Sequence, residues 1–180
     1  MRNQSFFLLL LAFCFTSQVA LSQTFIKDKS SVSFRIKNAG FWVNGSFSDF
    51  DMQAQFNPAS LSDSQLSGTL SVNSISTNNK KRDGHLLSED YFEAEKFPNI
   101  TLTSSQITKQ GAGYLWKGTL KIKETEKQVS IPFQVEEQAD HLLLKGEFDL
   151  NRIEYGVGKK SWLMNQKVYI ILECAVPKTT

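Results

Sequence analysis

The chain has 180 residues, with 20 lysines and arginines against 18 aspartates and glutamates, so its net charge is only +2. The longest basic cluster, Lys80-Lys81-Arg82, is too short to indicate a nucleic-acid-binding surface. With two histidines and two cysteines in all, a zinc site of the usual kind is excluded, and we expect no metal and no cofactor.

Residues 1–22 have the features of a cleavable signal peptide. Arg2 supplies the positive charge, residues 6–15 form an apolar run, and Ala20 and Ser22 are small residues where a signal peptidase reads. The run is shorter than the ~20 residues that span a bilayer. We therefore expect cleavage before Gln23, a periplasmic or secreted protein, and no membrane segment in the mature chain. Residues 23–180 have the length of one domain.

Cleavage would leave Cys174 as the one remaining cysteine, so no internal disulfide is expected. Cys174 continues an apolar series at alternate positions near the C-terminus. This pattern predicts a buried thiol rather than a reactive one.

Apolar residues alternate with polar ones through most of the chain, which predicts strands with one buried face. The alternation covers residues 32–36, 43–56, 66–75, 100–102, 114–122, 129–135, 142–150 and 168–176. Its parity shifts after Phe47 and again after Val72, which indicates bulges that bend a sheet toward closure. About eight antiparallel strands fit a barrel or a sandwich, and the bulges favour the barrel.

Glycine occupies an apolar position in four of these strands, at Gly45, Gly68, Gly118 and Gly146. A strand glycine marks either a bend or a place where the interior has room. An eight-stranded barrel has an interior that side chains just fill, or that holds one small ligand when some are missing. Both interpretations stay open at this point.

Residues 78–98 interrupt the alternation. Asn79 is a plausible N-cap and Ser88 a plausible start of a second turn. We predict two short helical turns whose apolar side chains fold over the barrel opening. These side chains are Leu86, Leu87, Tyr91, Phe92 and Phe97.

The same segment contains the densest polar cluster of the chain. Ser88, His85 and Asp83 could form a nucleophile set, but residues this close on short turns rarely converge in catalytic geometry. Arg82 and Asp83 can instead fix the insertion to the barrel. Arg82 and His85 can also bind the polar head of an amphiphile at the mouth of an apolar cavity.

Arg152 lies in the segment between the last two predicted strands. Two interpretations are open for it. The segment can be a loop that turns at Gly156 and Gly158, or Arg152 can pair with a carboxylate such as Asp83 or Glu154 at the barrel end.

The polar motif resembles the signature of the YceI-like family, whose members are exported lipocalin-like proteins. The resemblance covers nearly the whole mature chain and includes Arg82-Asp83-Gly84-His85-Leu86, Phe97-Pro98, Val43-Asn44-Gly45-Ser46-Phe47 and Arg152-Ile153-Glu154-Tyr155-Gly156. It implies an eight-stranded antiparallel lipocalin-like barrel with a short helical insertion near the mouth, and binding of polyisoprenoid or isoprenoid-quinone-like lipids. Two positions depart from the family: Asn38 replaces a frequent histidine, and Glu124 a frequent glycine.

The sequence thus predicts a non-catalytic protein that holds an isoprenoid or other long-chain lipid for transport, storage or sequestration. The expected lipid-binding residues are Phe34, Phe47, Phe50, Gly68, Leu70, Trp116, Gly118, Leu120, Phe133 and Phe148. The expected head-group or mouth residues are Arg82, His85 and Arg152. Two alternatives are a filled barrel acting as a stress-response or interaction module, and an enzyme acting on a bound lipid. A homodimer stays open.

Overall fold

The computed structural model describes residues 23–178, which form one antiparallel sheet of eleven strands and one α-helix. The strands are β1 (Gln23–Thr24), β2 (Ser31–Asn38), β3 (Phe41–Phe47), β4 (Phe50–Gln55), β5 (Gln65–Ser71), β6 (Ile75–Ser76), β7 (Asn99–Gln110), β8 (Gly113–Ile122), β9 (Thr125–Glu137), β10 (His141–Asn151) and β11 (Met164–Pro177). Helix α1 (Lys80–Leu87) lies between β6 and β7. Within this part of the chain, no helix is both long and apolar enough to cross a bilayer. The predicted signal peptide lies outside the described residues.

The sheet curls until its two ends meet. Its strand order is β1-β4-β5-β7-β8-β9-β10-β11-β2-β3-β6, so β4 and β3 lie near opposite ends. Yet only Ser48 and Asp49 separate them along the chain. The backbone N–H of Ile26, just after β1, also donates to the carbonyl of Ala175 in β11 at 2.8 Å. These links close the sheet around an interior, as in a barrel.

The predicted count of eight strands is wrong. The run predicted as one bent strand over residues 43–56 is divided at Ser48 and Asp49 into β3 and β4. Two further strands, β1 and β6, have two residues each and are too short to show an alternating pattern. The parity shift predicted after Val72 is a 3-10 turn, Val72–Ser74.

One end of the interior is closed by an aromatic floor, formed by the buried Phe56 and Phe133 and the half-buried Tyr114. The ring of Phe56 lies edge-on to those of Tyr114 and Phe133, at centroid distances of 5.1 and 5.7 Å. Cys174 packs in the same apolar cluster, and burial raises the pKa of its thiol to about 12. The predicted buried thiol is therefore confirmed.

At the other end, α1 is tied to the sheet through its first turn. The Asn79 side chain accepts from the backbone N–H of Arg82 at 3.0 Å, which confirms the predicted N-cap. Asp83 accepts from the backbone N–H of Thr77, just after β6, at 2.8 Å. The second predicted helical turn is absent from residues 88–98, where hydrogen-bonded turns follow the helix instead.

The inward glycines serve different purposes. A Cβ at Gly45 would overlap the ring of Phe34, and one at Gly118 would overlap the carbonyl oxygen of Thr103. Gly118 pairs with Ser104, beside the register shift between Ser104 and Gln106, so it permits a close backbone approach. At Gly68 the nearest atom would be the carbonyl oxygen of Asp51 at 3.6 Å, an ordinary contact.

We predict that Gly118→Ala destabilises the protein, whereas Gly68→Ala does not. The new Cβ at 118 has to push a backbone carbonyl, and such overpacking costs about 1–3 kcal/mol. The alanine at 68 meets only ordinary contacts and restricts the unfolded chain, so it is neutral or slightly stabilising. Urea unfolding of both variants measures the two effects, and equal stabilities would contradict this assignment.

We also predict that Cys174 is inert in the native state. At pH 8, a thiol of pKa about 12 is thiolate in roughly one molecule in ten thousand, and the thiolate is the reactive form. In a Cys14→Ser variant, a thiol-specific disulfide reagent should label the protein only after urea is added. Because Cys174 borders the cavity, rapid labelling without urea would show that the reagent reaches this thiol in the folded protein and would contradict the prediction.

Candidate functional site

The curled sheet encloses a cavity of about 600 Å³. Ligand sites for small molecules have volumes of about 300–1,000 Å³ and mostly apolar walls. The wall is built by alternate side chains of β2 to β5 and β7 to β11, and includes Val32, Phe34, Ile36, Phe47, Leu70, Leu102, Leu120, Ile131, Leu144, Phe148, Leu150, Ile170 and Leu172.

Burial along β11 shows where the interior is open. Val168, Ile170 and Leu172 have the inward parity but are only half-buried, and all three border the cavity. Farther along the same face, Cys174 still borders the cavity but is buried, and Val176 is buried without bordering it. The interior is therefore open in its middle and filled at the floor.

Nearly all of the residues predicted to bind lipid border this cavity. They are Phe34, Phe47, Phe50, Gly68, Leu70, Trp116, Leu120, Phe133 and Phe148. Gly118 is not among the lining residues. Its prediction as a lipid-binding residue is therefore not supported: of the two open interpretations of this glycine, it does not provide space, because the Thr103 carbonyl occupies the position that a side chain would take.

Gly68 leaves part of the wall without a side chain. It pairs with Met52 of β4 and Leu102 of β7. Around it, consecutive residues of β5 (66–70) and β4 (50–54) border the cavity, not only alternate ones. The backbone itself therefore forms the wall there, and a larger side chain at 68 would reduce the interior. Gly146 also borders the cavity, close to Ile131.

The wall becomes polar where the cavity reaches the α1 end of the barrel. Asn38, Asn79, Lys81, Arg82 and His85 border it there, and we call this group the mouth residues. Asn79, Lys81 and His85 are exposed, so the cavity meets solvent beside α1. The apolar Leu86, Tyr91 and Phe92 line the cavity from the same segment. The predicted cover over the opening is confirmed for these three side chains.

Arg82 has a structural role besides its place at the mouth. Its Nε donates to Thr77 Oγ1 at 2.7 Å and its Nη2 to the Thr77 carbonyl at 2.8 Å. The Thr77 hydroxyl in turn donates to Asp83. This network fixes α1 to the end of β6, as predicted for Arg82 and Asp83.

The hypothetical nucleophile set does not form. Ser88 Oγ donates to the backbone carbonyl of His85 at 2.7 Å, at the end of α1. Asp83 is engaged with Thr77. The His85 ring lies edge-on to Tyr91, 4.9 Å between centroids. Nucleophilic catalysis would require a general base next to the Ser88 hydroxyl. The three side chains have separate partners instead, so they do not form a nucleophile set.

Arg152 borders the cavity, yet only 4% of its surface is exposed. Its Nε donates to the Asn165 carbonyl at 3.0 Å, Nη1 to that of Val157 at 2.8 Å and Nη2 to that of Lys159 at 3.0 Å. Burial lowers the pKa of the guanidinium, which stays charged all the same. The proposed pairing with Asp83 or Glu154 is wrong, because Arg152 instead holds the loop between β10 and β11.

Trp116 has a polar atom without a partner. Its indole Nε1 is buried in the wall, and no acceptor within residues 23–178 bonds to it. The atom lies 3.2 Å from the position of a Cβ at Gly118, so the indole extends over this glycine. Gly118 therefore supports the cavity indirectly, by leaving room for Trp116.

Several wall and mouth residues were not predicted. Ile170 and Leu172 follow the same alternating parity as Cys174, so the pattern contained the signal that would identify them. Asn79 and Lys81 had no such signal, because their positions depend on how α1 lies across the sheet. Among the residues described, no group of three or more His, Cys, Asp or Glu could hold a metal ion.

Comparison with known proteins identifies related sequences. A UPF0312 protein of Yersinia enterocolitica is 33% identical over 125 residues, which is 67% of this chain and 65% of that protein. A UPF0312 protein of Photorhabdus laumondii is 35% identical over 99 residues, 54% of this chain and 52% of that protein. The chain thus matches less than two thirds of the length of these relatives.

Solved structures have the same fold. BcnA of Burkholderia cenocepacia superposes with a TM-score of 0.80 at 26% identity, covering 84% of this chain and 98% of BcnA. The YCEI protein of Campylobacter jejuni superposes with a TM-score of 0.69 at 24% identity, covering 76% and 86%. A polyisoprenoid binding domain of Saccharophagus degradans gives a TM-score of 0.62 at 11% identity, covering 88% and 99%. The last two show the fold alone.

The family model for the YceI-like domain matches residues 24–176, a span that contains the entire curled sheet except its terminal residues. This chain therefore belongs to the YceI-like domain family.

Proposed function

We propose that this chain is a non-catalytic protein that holds an isoprenoid or other long amphiphilic lipid in its cavity, for transport, storage or sequestration. The observation that carries the proposal is the cavity of about 600 Å³ with an apolar wall and a polar mouth. Each methylene that leaves water for such a wall gains ~0.8 kcal/mol. The head group would remain at the mouth residues, where polar partners are available.

The relatives support the class of ligand. The Saccharophagus neighbour is described as polyisoprenoid binding, and it shares this fold. Export through the predicted signal peptide would place the protein where membrane lipids have to pass through water. An apolar cavity with one polar mouth suits this task, because it shields the chain of the lipid from solvent.

A filled barrel acting as an interaction module agrees less well with the structure. It requires bulky side chains over the inward glycines, whereas Gly68 meets only ordinary contacts. An enzyme acting on a bound lipid requires a reactive group on the wall. Asp83 and Ser88, the candidates near the mouth, are engaged in the packing of α1.

We predict that Gly68→Phe lowers lipid affinity without unfolding the protein. A ring that displaces about three carbons of the bound chain removes about 2.4 kcal/mol, or roughly 50-fold in Kd. The matched control is Thr103→Phe, since Thr103 is exposed on the outward face of β7. Titration with geranylgeraniol in a Trp42→Phe/Trp162→Phe background, where the wall residue Trp116 is the one remaining tryptophan, measures both affinities by fluorescence.

The control for this titration is organic extraction of the purified wild-type protein with mass analysis of the extract. Co-purified lipid in the wild type, reduced in Gly68→Phe, agrees with the proposal. A wild type that carries no co-purified lipid of any class and takes up no isoprenoid would refute it.

We predict that His85→Ala lowers affinity for a lipid with a polar head more than for its hydrocarbon chain. His85 is exposed at the mouth, and one hydrogen bond contributes about 1 kcal/mol, or about fivefold. Geranylgeranyl phosphate should lose this factor, while squalene, which has no head group, should bind the variant and the wild type equally. An equal loss for both ligands would mean that His85 only supports the fold of the mouth.

A further inference from the structure

Three apolar residues stand exposed beside the cavity mouth, and we call them the rim patch: Phe41, Trp162 and Leu163. Their exposed fractions are 77%, 92% and 43%. Contiguous apolar patches on a protein surface mark interaction sites. The exposure of these three side chains therefore indicates a surface that contacts another molecule.

Two segments of the chain bring these residues together. The backbone N–H of Ala39, in the β2–β3 turn, donates to the carbonyl of Leu163 at 2.7 Å. Asn38 pairs with Phe41 on one side and with Met164 on the other. Asn38 and Met164 both border the cavity, so the rim patch is directly next to its opening.

The position of Phe41 on its strand supports this placement. Phe41 has the same parity on β3 as Val43 and Phe47, which line the cavity. It is exposed because the strand continues beyond the enclosed interior at this end. Its side chain therefore lies at the rim, outside the set of residues that border the cavity.

The surroundings of the rim patch are positively charged. Residues 36–47, 75–82 and 155–166 each contribute to the cavity lining. They contain no aspartate or glutamate, and their cations are Lys37, Lys80, Lys81, Arg82, Lys159 and Lys160. Nearby carboxylates are those of Asp83, which accepts from Thr77 in the network that holds Arg82, and Asp90, which pairs with Lys159 at 3.4 Å.

We propose that the rim patch and its surrounding lysines dock this protein on an anionic bilayer surface, with the cavity mouth facing the lipid. Exposed aromatic side chains flanked by lysines bind at the headgroup level of such membranes. Each lysine near an anionic surface contributes to the attraction. Docking in this orientation lets a lipid pass between the bilayer and the cavity without crossing water. This use of the surface rests on the proposed lipid-binding function, but docking itself can be measured without it.

The test is sedimentation of the purified protein with vesicles of phosphatidylcholine containing about one third phosphatidylglycerol, against vesicles of phosphatidylcholine alone. The wild type should bind the anionic vesicles preferentially. Lys159→Gln/Lys160→Gln should weaken partitioning about 25-fold, about fivefold for each lysine. The matched control is Lys109→Gln/Lys117→Gln, which removes two exposed lysines away from the mouth and should not change partitioning.

Insertion of the patch is tested by fluorescence in a Trp42→Phe/Trp116→Phe background, where Trp162 is the one remaining tryptophan. Anionic vesicles should shift its emission to the blue, and brominated lipids should quench it. In the wild-type background, Phe41→Ser/Trp162→Ser should abolish vesicle binding while leaving geranylgeraniol binding from detergent unchanged.

The two proposals fail in different ways. If the wild type takes up geranylgeraniol but does not sediment with anionic vesicles, docking is refuted and the lipid-binding function stands. If it sediments with vesicles but takes up no lipid, the proposed function fails and docking stands. If sedimentation equilibrium shows a dimer that Phe41→Ser/Trp162→Ser dissociates, the patch is a protein interface, and the membrane proposal is overturned.

Discussion

The two-residue bend at Ser48 and Asp49 is the constraint on which the rest of the structure depends. It joins β3 and β4, which lie near opposite ends of one sheet, and so requires that sheet to close on itself. A closed antiparallel sheet directs every second side chain inward. The volume of those inward residues then decides whether the interior is filled or open.

In this chain the inward residues fill only one end. Large rings close the floor around Phe56, whereas the middle of the barrel is lined by half-buried Ile170 and Leu172. Gly68 removes a further side chain from the wall. A cavity of about 600 Å³ is thus a consequence of side-chain size along alternating strands. The strands alone form the wall of this cavity, and α1 partly covers its mouth.

The alternating pattern was sufficient to predict most of the wall, because parity in a strand determines which side chains face inward. The pattern could not predict contacts that depend on strand register or on loop structure. Gly118 has the inward parity, but the shift of register opposite it brings a backbone carbonyl into its space. For Arg152 the sequence left a turning loop and a carboxylate pair both open, and in the structure it binds three backbone carbonyls. Such loop contacts depend on tertiary structure, and no local pattern in the sequence encodes them.

The cations near the mouth divide into two kinds. Arg82 and Arg152 are bound to backbone carbonyls and hold α1 and the β10–β11 loop in place. Lys81, Lys159 and Lys160 are exposed, and of these Lys159 pairs with the exposed Asp90 at 3.4 Å. The hydrogen-bonded arginines therefore shape the opening, whereas the exposed lysines contribute positive charge around it.

The most direct test of the central claim is the dependence of affinity on ligand length. The dissociation constants of isoprenoid alcohols with one to six isoprene units would be measured by titration. If the chain of the lipid fills the cavity, affinity should increase by up to ~0.8 kcal/mol for each added carbon and then level off once the cavity is full. An affinity that does not depend on chain length would contradict the account, because the apolar wall would then contribute nothing to binding.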